Sequence, residues 1–159
     1  MTIYDYSMPY IYMSYANNKR AHFDFDILET IEAGLVLLGT EVKSIRNGRV
    51  KIDGSYIVVK DGIVQLVGAN IPAFQPKNTD KSYNPDRPRQ LLITQKQLEK
   101  IEQLTAKQGL TAVPLSLYNS GRNIKLSFGI AKGKKKADKR ETIKARDVKR
   151  EIERTLKSQ

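Results

Sequence analysis

At 159 residues, 40% hydrophobic and 28% charged, the chain has the length of one domain built on one core. It carries no cysteine and a single histidine, which excludes disulfides, thiol catalysis, cysteine zinc sites and histidine-cluster metal centres. A net charge of +11 points to a polyanionic partner, either nucleic acid or an anionic membrane surface.

No run approaches the roughly 18 apolar residues of a bilayer span. The N-terminus also lacks the basic-then-apolar order of a secretory signal, so a soluble, cytoplasmic protein is expected. Five of the eight tyrosines fall within the first fifteen residues. That stretch has no periodicity, and Pro9 interrupts any helix. Residues 1–17 are expected to form a poorly ordered leader, or a set of aromatics on which RNA bases stack.

In HFDFDILETIEAGLVLLG, Phe23, Phe25 and Ile27 alternate with Asp24 and Asp26, the pattern of a half-buried strand. Gly34 interrupts it and is expected to mark a bulge or bend. Thr40 is placed to cap a short helix, TEVKSIRNG, closed by Asn47 and Gly48. SYIVVKDGIVQLVGANI reads as two β-branched runs joined by Asp61-Gly62, a tight hairpin turn. NTDKSYNPDRPR reads as a polar, proline-bearing loop with nothing to bury.

Thr94 and Gln97 form a capping-box pattern for a helix lined by Leu98, Ile101 and Leu104, with Gly109 as its terminator. AVPLSLYNSGRNIKLSFGIAK predicts a second hairpin. Val113, Leu115 and Leu117 alternate on one arm, and Ile124, Leu126, Phe128 and Ile130 on the other. Pro114 predicts that the first arm is an edge strand or pairs irregularly.

About six strands, two or three short helices and no βαβ repeat predict a mainly β fold, a small antiparallel barrel over residues 18–131. Among such barrels the OB-fold suits a basic chain, because one strand face and its loops bind oligonucleotides. Residues 132–159 differ in kind: 12 Lys/Arg stand against 5 Asp/Glu, a surplus of +7. Ile143, Val148, Ile152 and Leu156 give only a thin apolar stripe. The tail is therefore expected to be mostly disordered alone and helical once a polyanion neutralises it.

Catalytic candidates are few. His22 at a strand start is expected to be structural or at the surface. GIAKGK (129–134) has three residues between its glycines where a phosphate-binding loop needs four, and Lys135 stands where the hydroxyl should be. Asp24 and Asp26 are expected to do no more than solvate an outer face. No cofactor is implied, and no enzyme is nominated.

NKRAHFDFDILETIEAGLVLLGTEVKSIRNGRV, DGSYIVVKDG, PDRPRQLLIT and AKGKKKADKRETIKARDVKREIER together resemble the SsrA-binding protein (SmpB) family. The similarity runs from about Asn18 to Arg154. It rests on EAG, GTEVKS, the paired leucines and KGKK…DKR in that order. The resemblance implies an OB-fold that binds the tRNA-like domain of transfer-messenger RNA and enters stalled ribosomes with it, alongside elongation factor Tu. The tail would then become helical in the empty mRNA channel beyond the decoding centre, and no membrane would be involved.

Family positions implicated in RNA binding fall on Asn18, Glu32 and Leu92. Asn18 offers an amide to a base or ribose. Glu32 can accept from a base amino group, orient Lys43, or form an internal salt bridge. Leu92 is expected to shape the barrel beneath the site. Lys19, Arg20, Lys43, Arg46, Arg87 and Arg89 are added as phosphate contacts. In the tail, Lys132, Gly133, Lys134, Lys135, Asp138, Lys139 and Arg140 match the family pattern: lysines for phosphates, Gly133 for a turn, Asp138 for a cap.

Two departures stand out. Ala137 replaces an aromatic or histidine before DKR, and AHF replaces the usual ARH at 21–23. A ribosomal or ribosome-assembly protein binding ribosomal RNA is the competing expectation; an RNA-processing enzyme and a membrane-binding tail are weaker ones.

Overall fold

The computed structural model describes residues 14–107 and 109–157. Seven strands are all paired antiparallel: β1 Ser14–Asn17, β2 Phe25–Leu35, β3 Tyr56–Lys60, β4 Ile63–Val67, β5 Arg89–Leu92, β6 Leu110–Ser120 and β7 Asn123–Gly133. Four helices accompany them: α1 Ala21–Asp24, α2 Gly39–Arg46, α3 Gln95–Thr105 and α4 Lys136–Lys157. A 3-10 turn lies at Pro76–Asn78.

The sheet order is β1-β6-β3-β4-β5-β2-β7, and a further β6–β7 pairing closes β6, β3, β4, β5, β2 and β7 into a ring. This is the small OB-like barrel expected from the sequence. Ring closure leaves little free edge to attract another chain.

The interior follows the strand alternation. Ile31, Ala33, Leu66, Leu91, Leu126, Phe128 and Ile130 point inward, and Ile45 of α2 and Ile101 of α3 join them. Each of these side chains larger than Ala33 contributes about 1.5–3 kcal/mol by leaving water. The Asp61-Gly62 turn forms as read, with φ of 51° and 73°. The Thr94 cap also forms: Gln97 N donates to Thr94 Oγ1 at 3.3 Å, and Thr94 N to Gln97 Oε1 at 2.9 Å.

Several boundaries differ from the sequence reading. Residues 1–13 lie outside the described residues, but Ser14–Asn17, assigned to the leader, is a strand on the edge of β6. Residues 21–24 coil into α1, so the strand alternation begins at Phe25 rather than Phe23. The bulge in β2 falls between Ile27 and Glu29, not at Gly34. Gly34 lies instead in regular pairing beside Leu92, where an added Cβ would sit 3.4 Å from Leu92 Cβ, an ordinary contact distance.

Leu38, not Thr40, precedes α2, and the Glu41 carboxylate reaches back to accept from Leu38 N at 2.9 Å. α3 ends at Thr105, short of Gly109. Leu115 falls at a register shift between Pro114 and Ser116. The alternation changes phase there, leaving Val113 buried outside the main core while Ala112 and Leu117 face into it. Pro114 does pair irregularly, as its missing N–H requires.

The loop read as having nothing to bury is anchored to a buried ion cluster. Glu41 and Arg89 are both fully buried. Arg87 Nε and Nη2 donate to Glu41 at 2.8 and 2.6 Å, and Arg89 Nε and Nη2 at 3.0 and 2.8 Å. Arg89 also donates to the carbonyls of Ala69 and Pro85, each at 2.8 Å. The Tyr83 hydroxyl donates to Ile71 O at 2.6 Å. Each buried charged group is hydrogen-bonded to an opposite charge, which is the condition for burying it, and the net +1 of two arginines on one carboxylate is left with Arg87, whose side chain stays 29% exposed.

Burial alone would raise the Glu41 pKa, but the Arg87 hydrogen bond, the Leu38 N–H and Arg89 outweigh it, and the net shift is downward. Burial, then the Glu41 charge, pushes Tyr83 up, so it stays a phenol.

β7 extends through Gly133, so Lys132 and Gly133 belong to the barrel, paired with Asp26 and Phe25. Beyond them α4 is one continuous helix, the conformation the sequence reading expected of the tail once a polyanion neutralises it. Most of its 22 residues are good helix formers, and Lys135 N donates to Asp138 Oδ2 at 3.2 Å across the first turn.

Candidate nucleic-acid interface

Residues paired across antiparallel strands point to the same face, so the ladders define rows on the outside of the barrel. One row runs Asn17, Ser116, Ser127, Glu32 from β1 through β6 and β7 to β2. The neighbouring row runs Tyr118, Lys125, Gly34, Leu92. Glu32 and Leu92, far apart in sequence, thus share one outer face. Leu92 is 55% exposed; it does not lie beneath this face but stands on it, resting over Gly34. Beside it, Ile63, Gln90 and Leu98 line a shallow groove.

Asn18 closes the row at β1. Its backbone N donates to Leu115 O at 2.8 Å and its Nδ2 to Pro114 O at 3.0 Å. These bonds occupy the irregular stretch of β6 where β1 ends. The donor half of the amide is thereby committed to the fold. Oδ1 is buried and has no hydrogen-bond partner among the described residues.

The cations separate into two groups. Lys19, Arg20, Lys43 and Arg46 are exposed. Arg20 Nε lies 3.5 Å from Asp24 Oδ2, Lys43 Nζ sits 6.0 Å from the Phe74 ring centroid, and Arg46 Nη2 donates to Arg122 O at 3.3 Å. That last bond brings the end of α2 to the β6–β7 turn.

Arg87 and Arg89 are different. Arg89 is fully buried with its donors spent on Glu41 and carbonyls, which corrects its assignment as a phosphate contact. Arg87 holds Glu41 with two nitrogens and keeps only 29% of its side chain exposed; the Glu41 hydrogen bond raises its pKa. The sequence reading missed Lys125 and Arg122. Lys125 had a usable signal, since it alternates with inward Ile124 and Leu126 and must face out with Gly34.

At the root of the tail, Lys134 N donates to Asp24 O at 2.9 Å. Its Nζ donates to His22 O at 2.9 Å and lies 3.7 Å from Asp26. Lys139 Nζ pairs with Asp24 Oδ1 at 2.9 Å, and Arg146 stacks 5.7 Å from the Phe23 centroid. The Lys139 hydrogen bond holds the Asp24 carboxyl below the usual carboxylate range. Asp24 and Asp26 therefore do more than solvate a face. Lys132, Lys135 and Arg140 remain exposed, and no residue of α4 is buried. Among the described residues no group of His, Cys, Asp or Glu could hold a metal ion, and no helix is long and apolar enough to cross a membrane.

A family model described as SmpB protein matches residues 15–158. Curated relatives named SsrA-binding protein are similar over nearly the same span. One from Sphingomonas elodea is 50% identical over 143 residues, covering 89% of each chain. One from Chloroflexus aggregans is 46% identical over 142 residues, covering 89% of this chain and 90% of the relative. Among solved structures, one described as "tmRNA-SmpB: a journey to the center of the bacterial ribosome" is 39% identical with a TM-score of 0.63. It covers 76% of this chain and 85% of its own.

Proposed function

The chain belongs to the SmpB protein family, and from that premise we propose that it binds transfer-messenger RNA and brings it to stalled ribosomes for trans-translation. The barrel takes the tRNA-like domain of that RNA on the face carrying Asn18, Glu32, Lys125 and Leu92. Exposed Lys19, Arg20, Lys43 and Arg46 flank the face and neutralise phosphates. Glu32 accepts from a base amino group, which a polyanion cannot imitate, and so adds selectivity rather than affinity.

α4 is read as the ribosome-facing element. Lys132, Gly133, Lys134 and Lys135 lead into it from the end of β7, Asp138, Lys139 and Arg140 lie in its first turns, and its exposed cations meet ribosomal RNA in the mRNA channel near the decoding centre. Delivery proceeds in a complex that includes elongation factor Tu bound to the RNA, in the cytoplasm. On this reading the protein makes and breaks no covalent bond.

One observation carries the proposal: polar and apolar residues from five strands converge on one outer face, while a separate exposed cationic helix leaves the barrel at its end. Two surfaces of different chemistry suit two RNA partners. The test is to purify the tagged protein from its own cells and sequence the RNA that accompanies it. A single dominant species with a tRNA-like end is the expected result; ribosomal RNA in fixed stoichiometry, without that species, would overturn it.

A further inference from the structure

Ala21, Val113 and Ala131 are buried, yet none of them joins the main core. The register explains why. Ala112, Phe128 and Ile130 face inward, so Val113 on β6 and Gly129 and Ala131 on β7 face out. On β2 the bulge at Leu28 reverses the phase. Ile31 and Ala33 face inward beyond it, while Ile27, paired with Ala131, faces out before it. A second, smaller apolar layer therefore lies on the outside of the barrel, where β6, β7 and β2 run side by side.

The chain between Asn18 and Phe25 covers this layer. Asn18 is bonded to β6 through the carbonyls of Pro114 and Leu115, and Phe25 opens β2 opposite Gly133 of β7. Residues 19–24 thus pass over β6 and β7, and Ala21 is the buried residue of α1 within that crossing. Beneath it Ile27 lies directly against Gly129, which is itself buried. A Cβ at position 129 would stand 2.8 Å from Ile27 Cγ2 and 3.4 Å from Glu29 O. The first distance is closer than two carbons approach, and a β-branched side chain cannot swing Cγ2 aside without a new χ1. The close approach requires glycine.

We propose that Gly129 and Ile27 are positioning residues for RNA recognition: the bare backbone of β7 lets the outer layer close, and the layer sets where Asn18, Lys19 and Arg20 stand on the RNA face. Neither acts by touching RNA; each acts through the segment it supports. Disturbing the layer spares the interior, which Phe128 and Ile130 fill from the other side of the same strand. The layer stands on these contacts alone; its bearing on RNA rests on the functional reading above.

Gly129→Ala is the test, beside Ile27→Ala and the two together, each on the full chain with its folded fraction measured in urea. In Gly129→Ala the amide protons of Asn18 and Ala21, which donate to Leu115 O and Asn18 O, should exchange faster with deuterium. Those of the β2–β7 ladder should stay protected. Affinity for the tRNA-like domain of transfer-messenger RNA should fall about tenfold. The slope of log K against log salt should become shallower by roughly 1.5, as Lys19 and Arg20 leave their phosphates. Adding Ile27→Ala makes room for the new methyl, so the pair should regain protection and slope and bind more tightly than Gly129→Ala alone. Protection and affinity both unchanged in Gly129→Ala overturn the proposal, and so does a pair whose defects merely add. Faster exchange at Asn18 with affinity or slope unmoved overturns the link to RNA. A wild-type chain that does not bind this RNA overturns the functional reading instead, and exchange alone then decides the layer.

Discussion

Glu41 accepts hydrogen bonds from two arginines 46 and 48 residues away, with no exposed surface of its own. Removing its charge would leave Arg89 buried and unpaired, so Glu41→Gln is expected to cost about 3–5 kcal/mol in urea unfolding, whereas Glu32→Gln should cost almost nothing. Its depressed pKa sets the pH response. Stability from Glu41 is fully present above the unfolded carboxyl value of about 4.3 and is lost as pH falls through the lower folded value. Wild type should therefore weaken in acid, and Glu41→Gln should show a flatter profile there. None of this was legible from the sequence, because GTEVKS and DRPR are local strings that carry no sign of which distant partner they meet. Alternation, by contrast, reveals direction, and it placed Phe128 inward without any tertiary knowledge.

β6 shows what a pattern can and cannot convey. Its first half pairs with β3 at Ala112 and its second half with β1 at Ser116–Tyr118, and Pro114 stands where the partner changes. Pro114 was legible as an irregularity, but the phase change at Leu115 and the role of Asn18 in filling the gap were not, since both depend on strands that neighbour β6 only in space. Asn18→Ala removes a buried amide bond to Pro114 O and should cost about 1–2 kcal/mol. It should also weaken RNA binding, and comparing affinity with folded fraction at each urea concentration separates the two effects. The tail gives a sharper test. Because Lys132 and Gly133 complete β7, a cut that removes 136–159 spares the barrel. Such a chain should keep its affinity for transfer-messenger RNA within a few-fold while losing peptide tagging on stalled ribosomes; loss of RNA affinity would place the RNA site on α4.

Across the whole molecule, the surplus of +7 beyond residue 131 was legible from composition alone, and it marked the tail as the region that answers to polyanions. The barrel's share is smaller once Arg87 and Arg89 are counted as internal. Four to six free cations remain near the outer face, so log K for the RNA against log salt should fall with a slope of roughly −3 to −5. Filter binding between about 50 and 200 mM salt measures it. A slope near zero would mean that the face grips the RNA without phosphates, and Lys125→Ala should make the observed slope shallower by about one. The ring itself has an uneven circumference. β2 and β7 are joined along nine pairs, yet β3 meets β6 only at Ile57 and Ala112. A hoop fastened by one stitch parts there before anywhere else, so the amide protons at the Ile57–Ala112 contact should exchange with deuterium well ahead of those between β2 and β7, and whatever pries the cylinder apart will enter by that gap.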